Sequence, residues 1–199
     1  MGQPYEIVGQ PLSLWLAVVG TAFPIVTAAP AAPWVLVGTS GTRSQDENGV
    51  TVTHNQTVNK VRPGGALGPV KAFRSEEDLM FKLTIWDVSL EQVRVALNNN
   101  ALTTTAAGVG TPGTKKIGLS RGKSVTEYAL IARGDSPYGD GMVGQYQVAR
   151  CYVSNSPAVV YRKGVPAGVE IEFTALEDLT AATEDVRFGS IVFQHQAAL

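Results

Sequence analysis

The sequence is poor in the side chains from which chemistry is usually built. Its 199 residues include one cysteine, Cys151, and two histidines, His54 and His195. A single cysteine cannot form an internal disulfide, so nothing points to an oxidising compartment. With so few ligands an ordinary zinc site is nearly excluded. Charge is scarce as well: 16 basic and 17 acidic side chains leave a net charge of −1, and only 17% of residues are charged, against about a quarter in ordinary soluble domains. Near-neutrality argues against a protein that grips nucleic acid, which needs clustered surplus Lys and Arg. Hydrophobic residues make up 44%, which supplies a real core and excludes a disordered chain. Much of the surface must therefore be Thr, Ser, Asn, Gln, Gly and Ala. Such a surface can be buried against copies of itself without stranding many charges.

Long hydrophobic runs are also missing. No charge falls between Glu6 and Arg43, and residues 12–29 read as apolar. A signal peptide wants basic residues ahead of such a run, and none is present. A spanning helix wants about 20 uninterrupted apolar residues, but Pro24, Pro30 and Pro33 cut this one. Residues 12–19 read instead as a strand buried on both faces, followed by a Pro-rich connection. The expectation is a chain with no membrane insertion.

What is present is alternation with period two. In residues 50–58, Val50, Val52 and Val58 share one face, and Thr51, Thr53, Asn55 and Thr57 the other. In residues 79–87, Leu79, Phe81, Leu83 and Ile85 point inward. Further strands are expected at 34–37, 125–132, 146–153, 159–162, 168–174 and 186–193, separated by Gly, Pro, Asn and Asp. That spacing predicts an antiparallel β-sandwich or barrel. One helix interrupts it: Ser89-Leu90-Glu91-Gln92 reads as a capping box, and Leu90, Val93 and Leu97 fall on one face, with Glu91 and Arg94 spaced to pair. Long loops are expected at 38–49, 62–70 and 102–116. No repeat or interdomain linker is visible, so residues 1–199 read as one domain.

The motifs that could carry chemistry lack their contexts. Gly108-Val109-Gly110-Thr111-Pro112-Gly113 matches a dinucleotide fingerprint, but no helix pattern follows it. Residues 135–141 have the Asp and Gly of a cation loop without its ligand count, and read as a turn. Glu76, Glu77 and Asp78 alternate in direction along an extended chain and do not converge. Neither histidine has a nucleophile beside it, and Cys151 reads as a packing residue. Asn55-Gln56-Thr57 is a glycosylation sequon that means nothing without secretion. No catalytic, cofactor or metal residue is expected, so an enzyme is not.

Several stretches, in order, resemble the major tail tube proteins of long, non-contractile-tailed bacteriophages. They are Val19-Gly20-Thr21-Ala22-Phe23-Pro24, Trp34-Val35-Leu36-Val37-Gly38-Thr39, residues 49–57, residues 71–79, and Leu90-Glu91-Gln92 into Ala96-Leu97-Asn98. They cover roughly the first half of the chain; the second half matches by strand pattern alone. The resemblance implies a sandwich with one flanking helix, long loops, an N-terminal arm (about 1–33) and a C-terminal arm (about 186–199). It implies hexameric rings that stack into a hollow tube in the virion tail, assembled in the host cytoplasm, through which double-stranded DNA passes. Expected partners are further copies of the chain, a tape-measure protein, a tail terminator and tail tip proteins. A terminator or distal tail protein of the same fold, forming a single ring, is the alternative. A carbohydrate-binding sandwich would instead want aromatics clustered on one sheet face, whereas Trp15, Trp34 and Trp86 lie in or beside apolar runs.

Two sets of residues follow as candidates. Glu170 and Glu172 alternate with Val169, Ile171 and Phe173, so their face is the candidate lumen lining. A strongly acidic lumen would suggest a chain more negative than −1, so Lys60, Arg62, Arg121 and Lys123 would have to lie outside or at ring contacts. The candidate contacts between subunits or rings are the uncharged N-terminal stretch, the loop at 42–48 with Arg43, Asp46 and Glu47, and the loop at 62–68 with Arg62.

Overall fold

A computed structural model describes residues 6–197; residues 1–5 and 198–199 of the expected terminal arms lie outside it. Ten strands and one α-helix follow in the order β1 (Ser13–Val18), β2 (Val35–Leu36), β3 (Gln45–Val61), β4 (Lys71–Ile85), α1 (Leu90–Ala96), β5 (Leu102–Thr105), β6 (Thr114–Ile117), β7 (Glu127–Asp135), β8 (Val143–Val153), β9 (Val169–Ala175) and β10 (Ser190–Phe193). Short 3-10 turns occupy Gly41–Ser44 and Glu184–Val186. One antiparallel sheet runs β2-β1-β7-β8-β9-β4-β3, with β10 added to β8, and β5 and β6 form a separate ribbon. The architecture is mainly β with one flanking helix, as the alternation predicts.

The sheet curls because its inward residues are continuous. Leu14 and Leu16 of β1, Leu130 and Ala132 of β7, Ile171 and Phe173 of β9, and Phe81, Leu83 and Ile85 of β4 belong to one buried cluster. Strands β1 and β4 are separated by three others in the hydrogen-bonded order, yet they share this core. Each such side chain contributes roughly 1.5–3 kcal/mol by leaving water. Cys151 packs in the same cluster, fully buried, and burial followed by the nearby Glu127 charge pushes its thiol well up. It is a packing residue in this fold.

The convex side of β1 and β7 is buried too. Ala17, Trp34, Ala129 and Ile131 form a second cluster with Trp15 and Phe23 packed against it. Trp34 stacks on Phe23 at 5.5 Å and donates its Nε1–H to the Ala22 carbonyl. The buried Gln145 donates to the Pro24 carbonyl at 2.9 Å. The uncharged stretch after β1 thus folds back over its own sheet at Phe23, Pro24 and Trp34, while Ile25 and most of residues 27–33 stay exposed. Strand β1 is covered on both faces as expected, except at Val18 near its end, which is 76% exposed.

Several local expectations change. The loop expected at 38–49 is a 3-10 turn running straight into β3, and 102–116 is largely the β5–β6 ribbon, whose tip holds the Gly108–Thr111 bridge. Residues 159–162 form only isolated bridges, and of the strand expected at 186–193 only β10 remains. Ser89 makes no side-chain cap to α1. Asp87 tethers the helix start, accepting from the Ser89 and Thr39 amides at 3.0 and 2.9 Å, while the Gln92 carbonyl oxygen accepts from Gly38 N–H at 2.9 Å. The capping box fails because Gln92 points to Gly38 and away from its own helix start. The buried face of α1 therefore centres on Gln92 and Ala96, with Val93 and Val95 against the core, a shift from the expected Leu90–Val93–Leu97 stripe. Glu91 pairs with Lys115 of β6, and Arg94 bonds Asn99.

Burial alone would raise the Asp87 carboxyl, but hydrogen bonds from Thr39 and Ser89 outweigh it and hold the group down at about 2. A depressed carboxyl stabilises the fold fully above its ordinary value of 3.8 and loses that contribution as pH falls towards about 2. Asp87→Ala is expected to cost about 1 kcal/mol at neutral pH. In urea unfolding, the difference between wild type and variant should shrink across that acid window.

Candidate assembly surfaces

Strands β3 and β4 pair from Gln45↔Ile85 to Val61↔Lys71, but the core uses only one end of that ladder. Val50 and Val52 pack on the core from β3, and Leu79, Phe81, Leu83 and Ile85 from β4. Strand β9 pairs with β4 only over Met80–Ile85. Beyond, from His54 to Val61 and from Lys71 to Glu76, both strands are exposed on both faces. A bulge falls between Thr57 and Val58. The result is a two-stranded arm roughly 30 Å long at about 3.3 Å per residue. Val58 keeps the parity of Val50 and Val52 but sits out on this arm, 38% exposed. Its expected place in the core fails because the ribbon has already left the sheet.

The arm carries apolar side chains with nothing of its own to cover them. Phe73 is 50% exposed, and Val61, Leu67 and Val70 are exposed too. Lys71 lies over the Phe73 ring at 4.8 Å. Two-stranded ribbons without a packed face are marginal in water. At the arm's root, Glu77 holds His54 at 3.0 Å and Arg74 at 3.2 Å. Glu76 faces the other way and accepts from Thr57, so the acidic triplet does not converge, as expected.

The sequence candidates for subunit contacts separate. Arg43 sits in the 3-10 turn and Asp46 and Glu47 at the start of β3, beside a groove of about 620 Å³ that also takes in Pro11 and Trp86. Arg62 lies at the far tip of the arm, roughly 50 Å along the strand. These residues mark two ends of the molecule. Arg121, expected outside or at a ring contact, is used within the subunit, where its guanidinium donates to the Ala96 and Asn155 carbonyls.

Glu170 and Glu172 do share the outward face of β9, with Val169, Ile171 and Phe173 buried behind them. That face is not simply acidic. Lys82 of β4 pairs with Glu170 at 3.0 Å, Ser154 donates to Glu172 at 2.9 Å, and next to them Arg150 makes a bidentate pair with Glu127. The sequence could not show this, because Lys82 and Glu170 meet only through the β4–β9 register.

Among the described residues no group of three or more His, Cys, Asp or Glu is arranged to hold a metal ion. No helix among them is long and apolar enough to cross a membrane. Trp15 and Trp34 pack into the second cluster and Trp86 stands apart, half-exposed. The C-terminal stretch, expected as an arm, is docked through Gln196: β10 lies on β8, Gln194 and Gln196 donate backbone N–H groups to Val143 and Tyr138, and Ser136 donates to the Gln194 carbonyl. The fold and these surfaces define a class, an antiparallel β domain with one flanking helix and a projecting arm. No known family and no curated protein matches this chain.

Because the arm has no core of its own, replacing residues 58–75 with an Asn-Gly turn, which joins the paired Thr57 and Glu76, should leave the folded body intact. The thermal midpoint is expected to move by no more than about 3 °C. Amide exchange in the free wild-type subunit should run at least about 100-fold faster at residues 55–60 than in β7 and β8.

Proposed function

We propose that this chain is a structural protein whose copies join into rings and stack as a hollow tail tube through which a phage genome passes. The observation that carries this reading is the arm. A ribbon of this length, apolar in places and anchored only at one end, becomes stable when a neighbouring copy covers it. The ordered resemblance in the first half of the chain points the same way. The exposed edge at β1 and β2, with Val18 and Val35 76% and 65% exposed, offers a second apolar surface for a neighbour. Joining sheets between subunits would also remove open strand edges that otherwise invite uncontrolled pairing. On this reading the tape-measure, terminator and tip proteins are its further partners, and the virion tail is its location.

The outward face of β9 is our candidate for the lumen. DNA must slide along such a lining without being held, so the lining should offer few unpaired cations. Here Lys82 is already paired with Glu170. Placing lysine at both acidic positions, Glu170→Lys with Glu172→Lys, is expected to slow genome delivery in an assembled particle. Delivery at the wild-type rate would remove these residues from the lumen.

Electron microscopy with light scattering on the purified protein tests the reading as a whole. Tubes or stacked rings of uniform width are the expected result. Single rings at every concentration would instead indicate a terminator or distal tail protein. A chain that stays monomeric even when offered tail tips would overturn the proposal.

A further inference from the structure

The arm's root borders a groove of about 970 Å³, and the chemistry of that groove mirrors the arm's tip. Its floor is apolar, with Val52, Leu79, Tyr146, Val148, Phe188 and Ile191, and it opens between β4 on one side and the 177–191 segment on the other. It exists because β9 stops at Ala175 and the chain swings out before returning as β10, which pairs only with β8. Strand β4 from Lys71 to Leu79 is therefore left with β3 as its sole strand partner among the described residues. The outer rim is acidic: Glu177, Glu184 and Asp185 line it with the single base Arg187, and on the facing wall Arg74 is paired with Glu77. Arg187 is held by Glu177 at 2.8 Å and lies 3.8 Å from Glu184. The arm carries the opposite pattern. Between Val58 and Phe73 there are Lys60, Arg62 and Lys71 and no acid, set among the exposed Val58, Val61, Val70 and Phe73.

We infer that the tip of the arm seats in this root groove of a neighbouring copy, its valines and Phe73 on the apolar floor and Lys60, Arg62 and Lys71 against the acidic rim. The inference rests on the self-assembly reading above and names the surface that receives the arm. The groove at the other end of β3 is the poorer match, because it is smaller, about 620 Å³, and its lining has two acids, Asp46 and Glu47, with Arg43. The root groove has Glu77, Glu177, Glu184 and Asp185 with Arg74 and Arg187. A tip-to-root contact joins two different surfaces of the same molecule, so it is heterologous and repeats from copy to copy. Opposed charges would set its register and speed encounter, while the apolar centre supplies most of the affinity.

The test is a charge exchange on the full chain. An arm variant carries Lys60→Glu, Arg62→Glu and Lys71→Glu; a rim variant carries Glu184→Lys and Asp185→Lys. All five residues are exposed in the subunit, and circular dichroism checks that each variant folds. Each variant alone should need about tenfold or more protein to assemble by light scattering. Mixing the two should restore assembly, because each then meets an opposite charge. An Arg62→Cys, Glu184→Cys chain should give covalent ladders on oxidation, since the native Cys151 is fully buried. Ladders from Arg62→Cys with Glu47→Cys and none from the first pair would place the tip at the other groove and overturn the inference. So would a wild type that assembles while both charge variants assemble equally well. A wild type that never assembles, even with tail tips, would overturn the self-assembly reading itself.

Discussion

Everything distinctive in this molecule depends on how far the buried face of the β3–β4 ladder extends. The two strands pair from Val50↔Leu83 to Val61↔Lys71 with one bulge at Thr57–Val58, but inward apolar residues stop at Val52 on one and Leu79 on the other. Backbone pairing continues past that point because it needs no particular side chains. Packing does not continue, because His54, Gln56 and Glu77 take the inward positions. A sheet held on one face becomes a ribbon held on none, and the hydrophobic term that stabilises the rest is missing there. The arm is the structural consequence of a few polar residues at positions where the core would need valine or leucine.

The near-zero net charge hides a sorted distribution. Bases without acids fill the outer part of the arm from Val58 to Phe73, acids gather between β9 and β10, and Glu170 on the outward face of β9 is offset by a pair across strands. Half-exposed pairs such as Lys82–Glu170 contribute little to stability, about 0–1 kcal/mol. Their effect is to reduce the surplus among the charges named on that face to one acid, Glu172, which is bonded to Ser154. At the arm's root and on the rim some charges are paired locally, Arg74 with Glu77 and Arg187 with Glu177, while Lys60, Arg62 and Lys71 stay exposed further out.

The helix and its surroundings show how polar groups brace a sheet fold. Asp87, Gln92, Asn98 and Arg121 each bond main-chain atoms from distant parts of the chain. Asn98 does so from a left-handed backbone, φ 60°, a conformation that asparagine tolerates better than most residues. These side chains tie the 38–40 turn, α1 and the 118–126 segment together where the apolar cluster is thin. A seven-residue helix would not persist alone; here it is fastened at both ends.

Alternation in the sequence by itself determined the antiparallel class and the inward residues of β4 and β9, because side chains alternate with period two whatever the partner strand is. An unbroken apolar run marked the covered first strand, and helical spacing after Ser89 marked the single helix. The turn reading of Asp135–Gly141 and the packing role of Cys151 were equally local. The helix cap was not, because Gln92 chose a partner 54 residues away over its own first turn. Nor was the length of the arm, since Val58 continues the pattern of Val50 and Val52 and only the end of the β9 pairing shows that the core has run out. The pairing of Glu170 with Lys82 and the groove between β4 and β10 depend on strand order and register across the sheet. Those are set by the packing of the whole curled core, so no single segment of sequence contains them.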